Sequence, residues 1–502
     1  MKSPLILTLV LLVSSFCICH PALSAQPNIV LLMGDDHGWE ETGYNKHPHV
    51  KTPVLDEMAA TGFRFENFYA AHPNCSPTRA SFMTGRHPNR MGTFAPGFSF
   101  RPEEITIAQI LAKAGYRCAH FGKWHLGPVK AASPTSPGAM GFHEWLSHDN
   151  FFEMNPSLSR NGGPPEVIKG EGSEVVITEA IRFIDRAKKE GKPFFTVVWF
   201  GSPHEPYSGL PADLALYDDL PAKYNTKKVK LTSNETGAPV TRPQGEVLRE
   251  RFAEITAMDR AIGTLRKHLA AQNLRDNTLL FYCGDNGTPP EGSLDSPHRG
   301  VKGAVYEGGT MVPGVIEWPA RIPQPRSTTA RASTADLLPT LCAIAGQPLP
   351  ARPIDGMDLT PALDGKITAR PKPLYFWEYA GGPGKGKAEP WIEPELQKGT
   401  TPLAKLMGGK ATRDFTNLRH PTISDTDYTG PRAIIDGNFK LVIHEGKNGG
   451  EAKKELFDLQ ADPAEKNNLI GQHGAVADKL QTQLREWQKS VLQSLTGADY
   501  TK

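Results

Sequence analysis

Four times in this chain a short apolar run ends at a glycine and hands over to titratable residues, and that repetition narrows the architectures open to it. Residues 28–33 (NIVLLM) break at Gly34 and deliver Asp35, Asp36, His37 and Gly38. Residues 278–283 (TLLFYC) break at Gly284 before Asp285, Asn286 and Gly287, and residues 194–200 (FFTVVWF) break at Gly201 before Ser202, Pro203, His204, Glu205 and Pro206. A weaker run at 116–121 breaks at Gly122 before Lys123, Trp124 and His125. A nearly continuous apolar run of this length reads as a strand buried on both faces, the habit of parallel sheets. Ligands of open α/β sheets gather outside the carboxyl ends of the strands, so four strands that end in polar residues predict one shared site.

Helical periodicity lies between the runs, over 105–114 and 174–189, the latter carrying Val176, Ile177, Ala180, Ile181 and Ile184 near a 3.6 period. Strand and helix in alternation predict an α/β domain, a doubly wound, mostly parallel sheet flanked by helices, over 26–365. The texture then changes. Residues 373–379 are strand-like, 433–443 (AIIDGNFKLVI) reads as a hairpin about an Asp-Gly turn, and Leu480, Leu484, Trp487, Val491 and Leu495 mark one face of a last helix. This predicts a smaller C-terminal α+β domain, an antiparallel sheet plus a helix, over 366–502. Within it 381–428 is a long loop insertion rich in Gly, Pro and charge, of the kind that is functional more often than it is core.

Compartment is read from the start of the chain. Lys2 precedes an apolar run from 5 to 13 and small residues close at Ala25, the layout of a signal peptide over 1–25, too short to cross a bilayer. The chain is expected to be exported, periplasmic or extracellular, with no membrane association after cleavage. Four cysteines then remain, Cys75, Cys118, Cys283 and Cys342, too few for a disulfide scaffold and without zinc-cage spacing. A formal charge of +2 excludes a broad basic field, so no nucleic-acid partner is expected.

Asp35, Asp36, Asp285 and Asn286 bring oxygen donors and three negative charges to strand ends, a set suited to Ca²⁺, with Mg²⁺ as the other hard cation that fits. The competing reading is that each pair caps a following turn or helix. Cys75 leads into Ser76, Pro77, Thr78 and Arg79, a helix start with Ser76 as the cap and Pro77 in the first turn, where backbone N–H groups favour an anion or a thiolate. An activated cysteine near a metal and an incidental thiol beside a helix cap both remain open.

The run 75–86 (CSPTRASFMTGR) resembles the signature of the type I sulfatases, the formylglycine-dependent, arylsulfatase-like members of the alkaline phosphatase superfamily. Asp35-Asp36, 122–127 (GKWHLG), 203–206 (PHEP), 284–287 (GDNG), 299–303 (RGVKG) with 307–309 (EGG), 336–340 (DLLPT) and 455–459 (ELFDL) with Asp462-Pro463 resemble that family's other blocks in its order. The resemblance implies that Cys75 is oxidised after translation to Cα-formylglycine by a formylglycine-generating or anaerobic sulfatase-maturing enzyme. It implies that Asp35, Asp36, Asp285, Asn286 and the converted Cys75 surround Ca²⁺, and that the aldehyde hydrate is the nucleophile. One hydroxyl attacks sulfur and expels the alcohol, and the second then collapses to aldehyde and releases sulfate. Arg79 and Lys123 would hold the hydrate and neutralise sulfate oxygens, Lys302 would contact sulfate and the bridging oxygen, His204 would be the acid for the leaving alcohol and His125 the base for the hemiacetal. Taken alone, a Lys or His at these places would be a surface charge or a hydrogen-bonded loop residue.

Thr78 stands where the family most often has Ser, and 381–428 matches no family block. His37, Trp39, Glu205, Tyr207, His298 and Arg299 are further candidates for the substrate pocket. Asn234 opens a glycosylation sequon. The expected function is sulfate removal from a sulfated glycan or a small sulfate ester such as an aryl sulfate. A phosphonate or phosphate ester hydrolase of the same superfamily, or a sulfated-glycan binder without turnover if Cys75 stays unconverted, are the alternatives. A Ser or Thr nucleophile with His-rich zinc sites, as expected of alkaline phosphatases, is missing.

Overall fold

In the computed structural model, which describes residues 26–152, 154–233, 238–294, 296–381, 389–402, 412–445 and 452–500, the first apolar run forms strand β1 (Asn28–Gly34) at the centre of a large sheet. Ile29, Leu31 and Met33 point into one core while Val30 and Leu32 point into another, which is why the run is apolar at every position rather than at alternate ones. In chain order the other strands of this sheet are β2 (Phe63–Phe65), β3 (Arg117–Lys123), β4 (Glu144–His148), β5 (Ser157–Arg160), β6 (Pro165–Val167), β7 (Phe194–Trp199), β8 (Thr278–Gly284), β9 (Gly314–Glu317) and β10 (Arg326–Thr328). Their lateral order is β10-β2-β9-β8-β1-β7-β3-β4-β5-β6. The central five, β8 to β4, are parallel, whereas β9 runs antiparallel to both its neighbours and β5 and β6 are antiparallel additions at the far edge. The sheet is therefore mixed, parallel where it is covered on both faces.

Helices cover the two faces. Helix α1 (Cys75–Thr84) packs Ala80, Phe82 and Met83 into the core beneath Ile29 and Leu31. On the opposite face α2 (Gly172–Lys189) and α3 (Gln244–Ala271) contribute Val176, Ala180, Ile184, Met258, Ile262 and Leu265. The helix expected over 105–114 is shorter, Ile107–Lys113, because Thr106 and Gln109 close a reciprocal capping box that sets its first residue.

A second sheet consists of β11 (Leu374–Trp377), β12 (Arg432–Asp436), β13 (Phe439–His444) and β14 (Lys453–Asp458), antiparallel in that order. Asp436 pairs with Phe439 across a two-residue turn in which Gly437 has φ 60°, as the Asp-Gly signal predicts. One face of this sheet meets α4 (Gly474–Leu495) through Ile434, Leu441, Leu456, Leu480, Leu484, Trp487, Val491 and Leu495. The other face, Ala433, Ile435, Val442 and Phe457, packs on Tyr69, Val305 and Met311 of the larger part. Buried Lys440 on β13 reaches Glu307 at 2.8 Å and Glu465 at 2.9 Å, so Glu307 of the EGG block is an ion-pair anchor between the two sheets.

Residues 1–25 and the sequon at Asn234 lie outside the described residues. No helix among the described residues is long and apolar enough to cross a membrane.

Two buried imidazoles tie stability to pH. Burial pushes His87 down to about 3 and His148 down to about 4, from an ordinary 6.5. Below pH 6.5 the unfolded chain takes up protons that these rings refuse, so stability present above that value is lost as the pH falls toward 4, each ring adding a slope of up to about 1.4 kcal/mol per pH unit. Urea midpoints at pH 7 and pH 5 check this: a lower midpoint at pH 5 is expected, and the difference should shrink in His87→Gln and His148→Gln.

Candidate active site

The register of the central strands brings their broken ends to one edge. Gly34 of β1 faces Gly284 of β8, Met33 faces Trp199 of β7, and Gly122 of β3 faces Trp199 from the other side. Glycine is required at two of these breaks by the closeness of the next backbone. A Cβ on Gly284 would stand 2.0 Å from the His37 carbonyl oxygen, and one on Gly122, at φ 98°, would stand 1.9 Å from that of Trp199. Immediately past the breaks, Asp35 N–H donates to Ser202 O at 3.0 Å, Asp285 N–H to Gly34 O at 3.1 Å, and Asp36 N–H to Asp285 Oδ1 at 2.9 Å, with Asp36 itself in the left-handed region at φ 63°.

Helix α1 aims at this edge. It begins two residues earlier than the Ser-Pro signal predicts: Asn74, not Ser76, occupies the cap position, and Cys75 is the first helical residue. Asn74 makes no side-chain cap, because its amide donates instead to Glu378 Oε1 at 2.9 Å. Cys75 is 1% exposed. Burial raises its thiol pKa, against the pull of Lys123 and Lys302, which favours a protonated thiol over the activated thiolate that a helix N-terminus can give.

Around Cys75 the charges are paired. Arg79, one turn along α1, donates to Asp285 Oδ2 through Nη2 at 2.7 Å and Nε at 3.1 Å, and lies 3.4 Å from Asp35 Oδ1. Lys123 Nζ reaches Asp35 Oδ2 at 2.6 Å, and Lys302 Nζ reaches Asp36 Oδ1 at 2.6 Å. Three carboxylates thus meet three cations, and mutual repulsion of the acids is not what calls for a metal. Burial raises Asp35 and Asp36, but Lys123, His204 and Arg79 for the first and Lys302 and His204 for the second hold both below the usual carboxylate range. Asp285 is pushed up to about 7 by burial and by the charge of Asp35.

A hard cation nevertheless fits. Asp35 Oδ1 and Asn286 Oδ1 are buried acceptors with no hydrogen-bond donor among the described residues. Asn286 Nδ2 donates to Asp36 Oδ1 at 2.9 Å, which turns its carbonyl oxygen the other way. One ligand atom each from Asp35, Cys75 and Asp285, and one each from Asp35, Asp36 and His204, lie within 4.8 Å of one another. Oxygen predominates in this set, and a divalent charge here would also favour the ionised form of Asp285.

Two histidines overlook the cluster. His204, on the loop after β7, stacks on Phe151 at 4.9 Å; its Nδ1 donates to Glu205 O at 2.5 Å, so the other nitrogen, Nε2, is the one 3.7 Å from Asp36 Oδ2. Burial lowers its pKa and Asp36 raises it. His125, at φ 55°, is buried with both ring nitrogens unpartnered among the described residues, and burial with Lys123 and Arg413 nearby keeps it neutral.

The further pocket candidates separate into three groups. His37 is held in the core by Tyr282 OH at 2.5 Å and Glu41 O at 2.7 Å, which occupy both ring nitrogens. Glu205 accepts from Thr232 N–H at 2.8 Å, and Tyr207 donates to Glu291 Oε1 at 2.9 Å. Trp39 and His298 meet edge to face at 5.0 Å, while Arg299 lies over the Tyr306 ring at 4.0 Å and bonds Glu455 at 3.3 Å.

Sequence reasoning missed Arg251. Its buried guanidinium donates to Pro203 O and to Asp36 O, both at 2.5 Å, and pairs with Glu41, tying the β7 loop to the β1 loop. A buried arginine on the inner face of α3 was the available signal. The returning segment 412–417 lies within the 381–428 insertion, and its Phe415 ring lies 6.3 Å from that of His125.

The Sulfatase family model matches residues 27–347, more than half of the chain. The chain belongs to the sulfatase family. It is 33% identical to human arylsulfatase A over 472 residues, covering 90% of this chain and 84% of that protein. The Ulvan-active sulfatase of Formosa agariphila is 28% identical over 451 residues, covering 89% of this chain and 77% of that one. The fold matches the solved structure of BT4656 in complex with its substrate D-Glucosamine-2-N, 6-O-disulfate, with a TM-score of 0.70, 20% identity, and 95% and 100% of the two chains covered. This sulfatase is thus an enzyme of the sulfuric ester hydrolase class, built on a large mixed sheet with a small antiparallel sheet behind it.

Proposed function

We propose that this sulfatase is exported and removes sulfate from a sulfated carbohydrate, using a formylglycine made from Cys75 and a calcium ion held by Asp35, Asp36, Asp285 and Asn286. The observation that carries the reading is the convergence of Cys75, Asp35 and Asp285 on one buried point, with Arg79, Lys123 and Lys302 around it. Carbohydrate as substrate is supported by the relatives named for ulvan and for a disulfated glucosamine.

In this reading the thiol Sγ of Cys75 marks where the oxygens of the aldehyde hydrate would sit. At 1% exposure it is out of reach of a second protein, so conversion by a maturation enzyme would precede folding. A bound cation would supply a Lewis acid for a sulfate oxygen. Lys123 and Lys302 sit on opposite carboxylates and their ammonium groups would neutralise the remaining sulfate oxygens, while Arg79, fixed by Asp285 and by donating to the Lys123 carbonyl at 3.2 Å, would keep residue 75 oriented. His204, once protonated on Nε2, would give that proton to the departing alcohol oxygen; burial lowers its pKa and the Asp36 carboxylate opposes that shift. His125, neutral and unpartnered, would accept the proton of the second hydroxyl as sulfate leaves.

Peptide mass spectrometry of the natively produced enzyme, with rates on matched sulfate and phosphate esters, tests this. A loss of about 18 Da at the Cys75 peptide and a kcat/KM preference for the sulfate ester are expected. Phosphate preference would move the protein to the phosphonate or phosphate ester hydrolases, and an unconverted thiol with glycan affinity would make it a binder.

A further inference from the structure

The segment that no motif explained runs back from the small sheet across the active-site edge. Phe98 bridges Thr416, Ser99 N–H donates to Thr416 O at 2.9 Å, Phe415 N–H donates to Gln397 O at 2.9 Å, and Asn417 Nδ2 donates to Ser99 O at 2.8 Å and Met91 O at 3.1 Å. Asp149 secures the same segment upstream by accepting from Thr401 N–H at 2.6 Å. Over 412–417 the exposure alternates: residues 412, 414 and 416 are exposed, and Arg413, Phe415 and Asn417 turn inward. Phe415 reaches the His125 ring, and Arg413, on the same side and two residues before it, is near enough to Cys75 and His125 to act on both electrostatically.

Arg413 is unlike the other cations there. Arg79, Lys123 and Lys302 each rest on a carboxylate. The Arg413 side chain has no hydrogen bond or ion pair among the described residues, its Nε is buried without a partner, and its Nη1 is held close over Gly97. Burial lowers its pKa and only Cys75 opposes that shift. A guanidinium placed this way lacks an anion, and it offers a planar fork that suits a carboxylate or a sulfate.

We propose that Arg413 is a specificity residue that binds a second anionic group of the substrate, a carboxylate or a further sulfate on the sugar that carries the scissile ester or on its neighbour. The inference rests on the reading of the site as a carbohydrate sulfatase and narrows it to a glycan with more than one negative charge per recognition unit.

The test uses the full-length enzyme with Arg413→Gln and Arg413→Lys on four substrates: a neutral sugar monosulfate, a disulfated sugar, a uronate-bearing sulfated disaccharide and an aryl sulfate. For Arg413→Gln, the ratio of kcat/KM on a doubly anionic substrate to that on the neutral monosulfate should fall about 10- to 100-fold, carried by KM, with partial recovery in Arg413→Lys. Whether the disulfated or the uronate arm moves identifies the anion. An equal loss on all four substrates, or no loss on any, overturns the proposal while leaving the sulfatase reading intact. Should the preparation turn over no sugar, titration calorimetry of the same ligands against unconverted protein decides the matter independently: weaker binding of a doubly anionic sugar to Arg413→Gln supports the role, and equal binding overturns it.

Discussion

Replacing Cys75 with alanine is expected to remove sulfate-ester turnover almost completely, by on the order of 10⁴-fold or more in kcat, the scale on which covalent nucleophiles act. The folded state should tolerate the change, since a buried thiol that makes no hydrogen bond among the described residues is exchanged for a methyl group. Cys75→Ser separates the two halves of the reaction more sharply. A single hydroxyl can take the sulfuryl group but has no second hydroxyl to expel it, so this variant should release about one equivalent of alcohol per site and then stop. Quench-flow on a chromogenic sulfate ester reads the burst, and intact mass should show a persistent gain of about 80 Da, the mass of SO₃, on the variant. Steady turnover by either variant would remove residue 75 from the chemistry.

Asp35→Ala should have the second-largest effect, on stability as well as rate. Asp35 carries the contact to Lys123 at 2.6 Å, and both side chains are fully buried. Removing one partner of such a pair leaves a charge without compensation and costs about 3–5 kcal/mol. The same change removes a buried oxygen from the set suited to calcium. In the unaltered enzyme, Ca²⁺ at about 100 times its dissociation constant should add about 2.7 kcal/mol to the unfolding free energy, and chelation should reverse this. Calorimetric melting with calcium and with chelator checks it: the calcium-dependent rise should vanish in Asp35→Ala. A rise that persists there would place the cation elsewhere.

Much of the fold could be read from the chain because its signals are local. The four apolar runs identified four neighbouring parallel strands and the edge at which they end, since two-sided burial and a glycine break depend on adjacent residues. The Asp-Gly turn and the inner face of α4 were legible for the same reason. The helix start was misplaced by two residues, with Asn74 rather than Ser76 at the cap position, and the Asn74 amide is held by Glu378, 304 positions away. The strands β5, β6 and β9, short and outside the parallel centre of the sheet, carried no signal for their antiparallel direction.

At the candidate site the division is sharper. Residue types at strand ends were enough to nominate Asp35, Asp36, Asp285 and Asn286 as hard-cation ligands, whereas Cys75 as nucleophile and Arg79, Lys123, His125, His204 and Lys302 came only from the ordered resemblance to the sulfatase blocks. Nothing local could say that Arg79 would pair with Asp285 across 206 positions, or Lys302 with Asp36 across 266. Nor could it turn His37 into the core, lock Arg251 beneath two loops, or bring Arg413 back near Cys75 and His125. Secondary structure and donor chemistry follow from near neighbours along the chain. Charge pairing, burial and the direction a side chain faces arise from contacts made when distant segments close, and those contacts distinguish a residue facing the reaction from one of the same type that braces the frame.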